Sequence, residues 1–211
     1  MHLPFTAEQF FAVFRAYNVS VWPAQALLLA LALIALALLV VPRRWSGVAI
    51  SAILAFLWLW IGLAYHFAFF TTINPLAYLF AALSIAGGLI FLWHGVIRGN
   101  LQFQLARSAS GASGIALVVY ALVVYPVWSV YAGHHYPALP TFGLPCPTTI
   151  FTLGMLAFVV PPYPKAPLIV PMLWCLVGAQ AAFFLGVPQD LGLVAAVGVG
   201  AFLMMRSRVR R

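Results

Sequence analysis

Acidic side chains are almost missing from this sequence: Glu8 and Asp190 are the only two in 211 residues. Hydrolysis by paired carboxylates, or a carboxylate relay carrying protons across a membrane, is therefore hard to build. The sequence also has no P-loop, no G-x-S-x-G and no H-E-x-x-H, which argues against water-using enzyme chemistry. Charged residues of both signs reach only 6%, against roughly a quarter in a soluble domain, so a water-soluble surface cannot be covered. Two cysteines, Cys146 and Cys175, cannot form a disulfide framework. The first residues carry no basic segment followed by an apolar run and a small-residue cleavage site, so no cleaved leader is expected.

What is present is apolar. Hydrophobic residues make up 65% of the chain and the mean hydropathy is +1.09. With about 20 mostly apolar residues needed per crossing, a lipid bilayer takes the place of a core. The reading is an all-α polytopic transmembrane bundle of seven spans, at about 20–41, 47–70, 75–97, 112–133, 147–160, 166–187 and 190–205, forming one domain. Residues 1–19 precede the bundle of 20–205, and 206–211 form a basic tail.

The net charge of +8 would suggest nucleic acid in a soluble protein, but the basic residues sit at the ends of apolar runs and mark topology instead. Arg43 and Arg44 follow the first span, Arg98 and Arg107 the third, Lys165 the fifth, and Arg206, Arg208, Arg210 and Arg211 the seventh. The alternate loops, around 71–74, 134–146 and 187–190, hold no Lys or Arg. The positive-inside rule then places the amino terminus outside and the tail in the cytoplasm, with Arg15 the single exception. In 6–17, Phe10, Phe11, Phe14 and Tyr17 share one helical side behind Thr6 as N-cap, which predicts an amphipathic helix lying in the outer interface.

One stretch departs from plain spanning helix. Pro137, Pro140, Pro145 and Pro147 crowd into 134–154, so the chain there must be extended or turned. A helix from Pro147 to Val160 reaches only about 21 Å at 1.5 Å per residue, against about 30 Å of hydrocarbon. The preceding loop is therefore expected to dip into the outer leaflet, which is tolerated where backbone is buried in protein or lines a cavity. Pro147 suits the first helical position, leaving Cys146 beside free backbone N–H groups and the positive end of the helix dipole, an environment that favours thiolate and anions. The alternative is that Cys146 is simply a small buried residue and Thr148, Thr149 and Thr152 bond back to their own helix.

The other polar groups assigned to the outer side are few. They are His66 beside Tyr65, the adjacent His134 and His135, Asp190 opening the seventh span, and Glu8 on the interfacial helix. Ionisable groups at membrane depth are candidates for function. Cys146, His66, Asp190, Glu8, Tyr65 and Thr149 are the candidate ligand-binding set, and Cys146, His66, His134 and His135 could hold a transition-metal ion. Their spacing matches no metal signature. Gln25 and Gln180 inside spans are read as helix-to-helix glue, and Cys175 as core.

Three functions follow. One is binding or transport of a small molecule or ion in an outward-facing pocket near Cys146. Another is a haem-carrying redox protein with His66 and His134 or His135 as axial ligands. The third is an accessory subunit of a larger membrane complex, using small residues such as Ala195, Gly198 and Gly200 on the last span. The lipid bilayer is the expected partner and nucleic acid is not. The segments PFTAEQFFAVFRAYNVSVWPAQ, ISAILAFLWLWIGLAYHFAFFTTINPLAYLF and YPALPTFGLPCPTTIFTLG resemble a family of small, functionally uncharacterised bacterial integral membrane proteins. That resemblance implies the bacterial inner membrane and assigns no site residue.

Overall fold

The computed structural model of the chain describes residues 4–207; Arg208, Arg210 and Arg211 of the expected tail lie outside them. The first helix, α1 (Ala7–Ser20), starts at a capping box: the Gln9 backbone N–H donates to Thr6 Oγ1 at 3.2 Å and the Thr6 N–H to Gln9 Oε1 at 2.9 Å. Phe10, Val13, Phe14 and Tyr17 are buried along one side, while Glu8 and Arg15 are exposed. Pro23, without an N–H to continue the ladder, marks the turn where the chain bends by 86° into α2 (Ala24–Val40). The first apolar run thus becomes helical at Ala24 rather than near residue 20.

Among the described residues five helices are long and apolar enough to cross a membrane: α3 (Ser46–Thr72), α4 (Ala77–Ile97), α5 (Ala109–Tyr131), α7 (Ala166–Phe184) and α8 (Pro188–Arg206). The bent α1 and α2 pair makes a sixth if counted as one span. Their outer surface is greasy, with Leu27, Leu63, Phe67, Leu79, Val123 and Leu176 each more than half exposed, the inverse of a soluble fold. Three stretches widen into π-helical turns, at Ile61–Phe67 in α3, Leu92–Ile97 in α4 and Tyr120–Val124 in α5.

The remaining helix, α6 (Pro145–Leu156), has 12 residues, about 18 Å of rise. It begins two residues before the expected Pro147 and ends four before Val160. Every residue except Cys146 is buried, because α5, α7 and α8 enclose it. Backbone approach to α5 is close: a Cβ on Gly154 would stand 3.1 Å from the Val118 backbone N, and one on Gly114 2.9 Å from the Gly154 carbonyl oxygen. Two of its three threonines are hydrogen-bonded within the protein. Thr152 Oγ1 donates to the Thr148 carbonyl at 2.8 Å and accepts from Trp58 Nε1 at 3.1 Å, and Thr148 Oγ1 accepts from the Gly143 N–H at 3.2 Å.

The two ends of the bundle differ. At one, irregular chain fills the space the short α6 leaves. The Gln104 N–H donates to the Phe158 carbonyl and the Val160 N–H to the Gln102 carbonyl, while Arg206 Nη1 reaches the Val159 carbonyl at 3.2 Å. The connection 98–108, which carries Arg98 and Arg107, is therefore partly built into the bundle, with Leu101 and Phe103 buried. At the other end, α1 and the connection 132–144 are clamped by Asn18. Its Nδ2 donates to the Pro137 and Leu139 carbonyls, both at 2.7 Å, and its Oδ1 accepts from Thr141 Oγ1 at 2.8 Å. Gln25 Nε2 donates to the Asn18 carbonyl at 2.8 Å, so the expected gluing role of Gln25 falls on a loop clamp. Gly200 is packed within the chain against Met172, whereas a side chain at Gly198 would meet nothing. The small residues of α8 therefore do not form one exposed face.

Candidate functional site

A cavity of about 330 Å³ lies beneath α1, at the end of the bundle held by Asn18. Its walls are largely aromatic. Phe10 and Phe14 descend from α1, Tyr65 and Phe70 come from the last turns of α3, Phe80 from α4 and Trp174 from α7. Their rings touch in series: Phe10 and Phe14 centroids are 4.5 Å apart, Tyr65 and Phe70 5.7 Å, and Phe80 and Trp174 5.3 Å. The π-helical turn at Ile61–Phe67 inserts an extra residue per turn and so re-aims Tyr65 and His66. This is where sequence periodicity of 3.6 misplaces side chains.

The floor is made by Leu144, Cys146, Tyr125 and Gly178. Behind it stands Asp190, in the first turn of α8 and 1% exposed. Tyr125 Oη donates to Asp190 Oδ1 at 2.6 Å, and Cys146 is the carboxyl group's other side-chain neighbour. Tyr120, whose hydroxyl donates to the Gln189 carbonyl at 2.7 Å, holds the same turn in place. Trp174 Nε1 and Cys146 Sγ both lie near Gly178, 3.1 Å and 3.4 Å from where its Cβ would stand. The indole N–H is buried, with the Cys146 thiol as its side-chain neighbour.

The candidate residues fall into three groups. Cys146 and Tyr65 line the cavity, and Asp190 touches it through Tyr125 and Cys146. His66 lies one layer back and is fully buried, its ring 4.8 Å from that of Trp174 and both nitrogens unpaired. Glu8, Thr149, His134 and His135 do not line the cavity: Glu8 is exposed, Thr149 is buried inside α6 with its hydroxyl unpaired, and His135 is exposed. His134 stacks on Phe11 at 4.2 Å. Partial burial lowers its pKa from the ordinary value, a shift opposed by the Ser129 backbone and reinforced by His135. Among the described residues no group of three or more His, Cys, Asp or Glu could hold a metal ion. The proposed quartet of Cys146, His66, His134 and His135 is thus not assembled.

The helix start at Cys146 also differs from expectation. Pro145 and Pro147 occupy the first and third helical positions, and the Thr148 N–H is used by the Leu144 carbonyl. Of the free donors usual at a helix start, that of Cys146 remains. With Asp190 beside it, the site is poorly suited to an anion. Sequence reasoning passed over Trp174, Tyr125 and Asn18. The available signal for Trp174 was its position mid-run, away from the interfacial belt where tryptophan N–H groups find partners.

Comparison with known families adds one decisive match, which spans residues 7–211. The chain belongs to DUF6064, a family of unknown function. No curated protein and no solved structure matches it.

Proposed function

We propose that this member of DUF6064 is an integral membrane protein that holds a small, largely apolar molecule in the cavity beneath α1. The observation that carries this reading is the cavity itself: about 330 Å³, walled by aromatic rings and ending on Cys146 and Tyr125. Binding sites for organic ligands have this composition, mostly apolar with a few polar groups that fix orientation.

Seven passes are supported by geometry as well as charge. The 12-residue α6 runs between the two bundle ends, with irregular chain at both of its termini. Arg43, Arg44, Arg98, Arg107, Lys165 and Arg206 occupy alternate connections, so the rule for basic loops puts the α1 end outside a bacterial cytoplasmic membrane. The 86° bend then lays α1 in the outer interface. Single cysteines in a background lacking Cys146 and Cys175 test this placement. Thr72→Cys and Gly133→Cys, at exposed positions, are expected to react with an impermeant maleimide on intact cells, and Ala106→Cys only after lysis. Reaction of Thr72→Cys and Ala106→Cys from one face defeats the topology.

Binding is tested with N-phenyl-1-naphthylamine, a neutral fluorescent apolar probe, on the full chain in nanodiscs. Saturable binding is expected, with loss of at least tenfold in affinity for Ala181→Trp, since Ala181 lines the cavity and a bulky ring there fills it. Equal binding by that variant and by the wild type sinks the proposal.

A further inference from the structure

We infer that the cavity's ligand is a lipophilic organic cation, a substituted ammonium or comparable positive group carrying apolar arms. The inference rests on the cavity being a ligand site, and it adds the sign of the charge.

Three observations point the same way. First, among the described residues the lining contains no Lys, Arg or His, and the described Lys and Arg residues other than Arg15 belong to the opposite end. A carboxylate, phosphate or sulfonate head would find no counter-charge among the described lining residues. Second, the buried carboxyl group of Asp190 stands behind the floor with only a tyrosine hydroxyl and a thiol as side-chain partners. Burial favours the neutral form of this group unless a positive charge comes near, so a cation in the cavity is the ligand that would bring out the carboxylate, with little solvent to screen their attraction. Third, the aromatic rings of Phe10, Phe14, Tyr65, Phe70, Phe80 and Trp174 line the space. Aromatic faces carry negative quadrupole potential and take cations within about 6 Å of their centres. The molecule already makes one such contact, Arg98 over Trp93 at 5.0 Å.

Each feature has a structural role on its own: Asp190 suits the first turn of α8 through the helix dipole, and the rings pack. Their convergence on a void without a basic residue is what selects a cation. Among the described residues the same surfaces offer too few hard or soft ligands for a metal coordination shell.

The test uses the full chain in nanodiscs with N-phenyl-1-naphthylamine bound, and two competitors: benzyltriethylammonium and the anionic 1-anilino-8-naphthalenesulfonate. The cation is expected to displace the neutral probe at a concentration at least tenfold below that needed by the sulfonate. In Asp190→Asn, direct calorimetric affinity for benzyltriethylammonium is expected to fall at least tenfold. Trp174→Leu, which removes a ring face without touching the buried carboxyl group, should lower it severalfold and serves if Asp190→Asn does not fold. Probe binding with no preference for the cation, or unchanged cation affinity in a folded Asp190→Asn or Trp174→Leu protein, overturns the inference and leaves the apolar-ligand reading standing. Absence of binding by the probe and the cation alike overturns both.

Discussion

Gly154→Leu is expected to abolish the folded protein, seen as loss of the monodisperse peak in size-exclusion chromatography after detergent extraction. The position faces α5 so closely that a bare Cβ already comes within 3.0 Å of Val118 Cγ2, 3.1 Å of Leu117 Cβ and 3.1 Å of the Val118 backbone N. Overpacking a core typically costs about 1–3 kcal/mol when side chains can move aside. Here one of the obstacles is backbone, so the two helices must separate, and α6 is enclosed by α7 and α8 on its other sides. Gly154→Ala needs shifts of only a few tenths of an ångström and is expected to fold with reduced thermal stability. Gly198→Leu is the control, because nothing lies within 4 Å of that position. A Gly154→Leu protein that extracts and elutes like the wild type would show that the close α5 and α6 contact is wrong.

Asn18→Ala is expected to release the connection 132–144 from α1. The side chain is fully buried and donates to two carbonyls of that connection while accepting from Thr141. Leaving a buried polar group without its partner costs about 1–3 kcal/mol, so the loss of this set is expected to reach about 2–4 kcal/mol. Asn18→Asp does not rescue it, because a carboxylate cannot donate to Pro137 and Leu139. Chymotrypsin should then cut after Phe142 in the variant while sparing that bond in the wild type, and affinity for the neutral probe should drop with it. The reason is that Pro140 and Leu144, at the end of the released segment, line the cavity. Unchanged protease resistance in Asn18→Ala would remove the clamp from this account.

The two variants act on different layers. Gly154 sits where helices touch in the main apolar core, whereas Asn18 closes a second, smaller cluster of Phe10, Val13, Phe14, Tyr17, Tyr65 and Phe70. That separation is why the outer layer can surround a void while the core around α6 remains dense. It also explains the break at Pro23: an α1 continuing straight into α2 would leave this layer uncovered.

Much of the architecture follows from the sequence alone, because apolar runs of membrane length obey simple rules. Apolar run length located α3, α4, α5, α7 and α8 within a few residues, since every backbone amide in hydrocarbon must be bonded internally and only a helix of membrane length does so. Alternation of Phe10, Phe14 and Tyr17 with Glu8 and Arg15 located α1 and its buried side, and the density of prolines marked the stretch ahead of Pro147 as non-helical, which holds as far as Leu144. Tertiary structure alone decided the site. Whether His66 faces the cavity or the layer behind it depends on a π-helical turn, which no periodicity announces. The separation of His134 from Cys146 depends on its stacking against Phe11, 123 positions earlier in the chain. Asp190 and Tyr125 meet although 65 residues apart, and Cys146 has few free amides because prolines flank it in a helix that starts earlier than its composition suggested. Membrane insertion is a property of each segment taken singly and is written along the chain. A binding site is a property of how seven or more segments pack, and small rotations of a helix, of the size one inserted residue produces, change which side chains it contains.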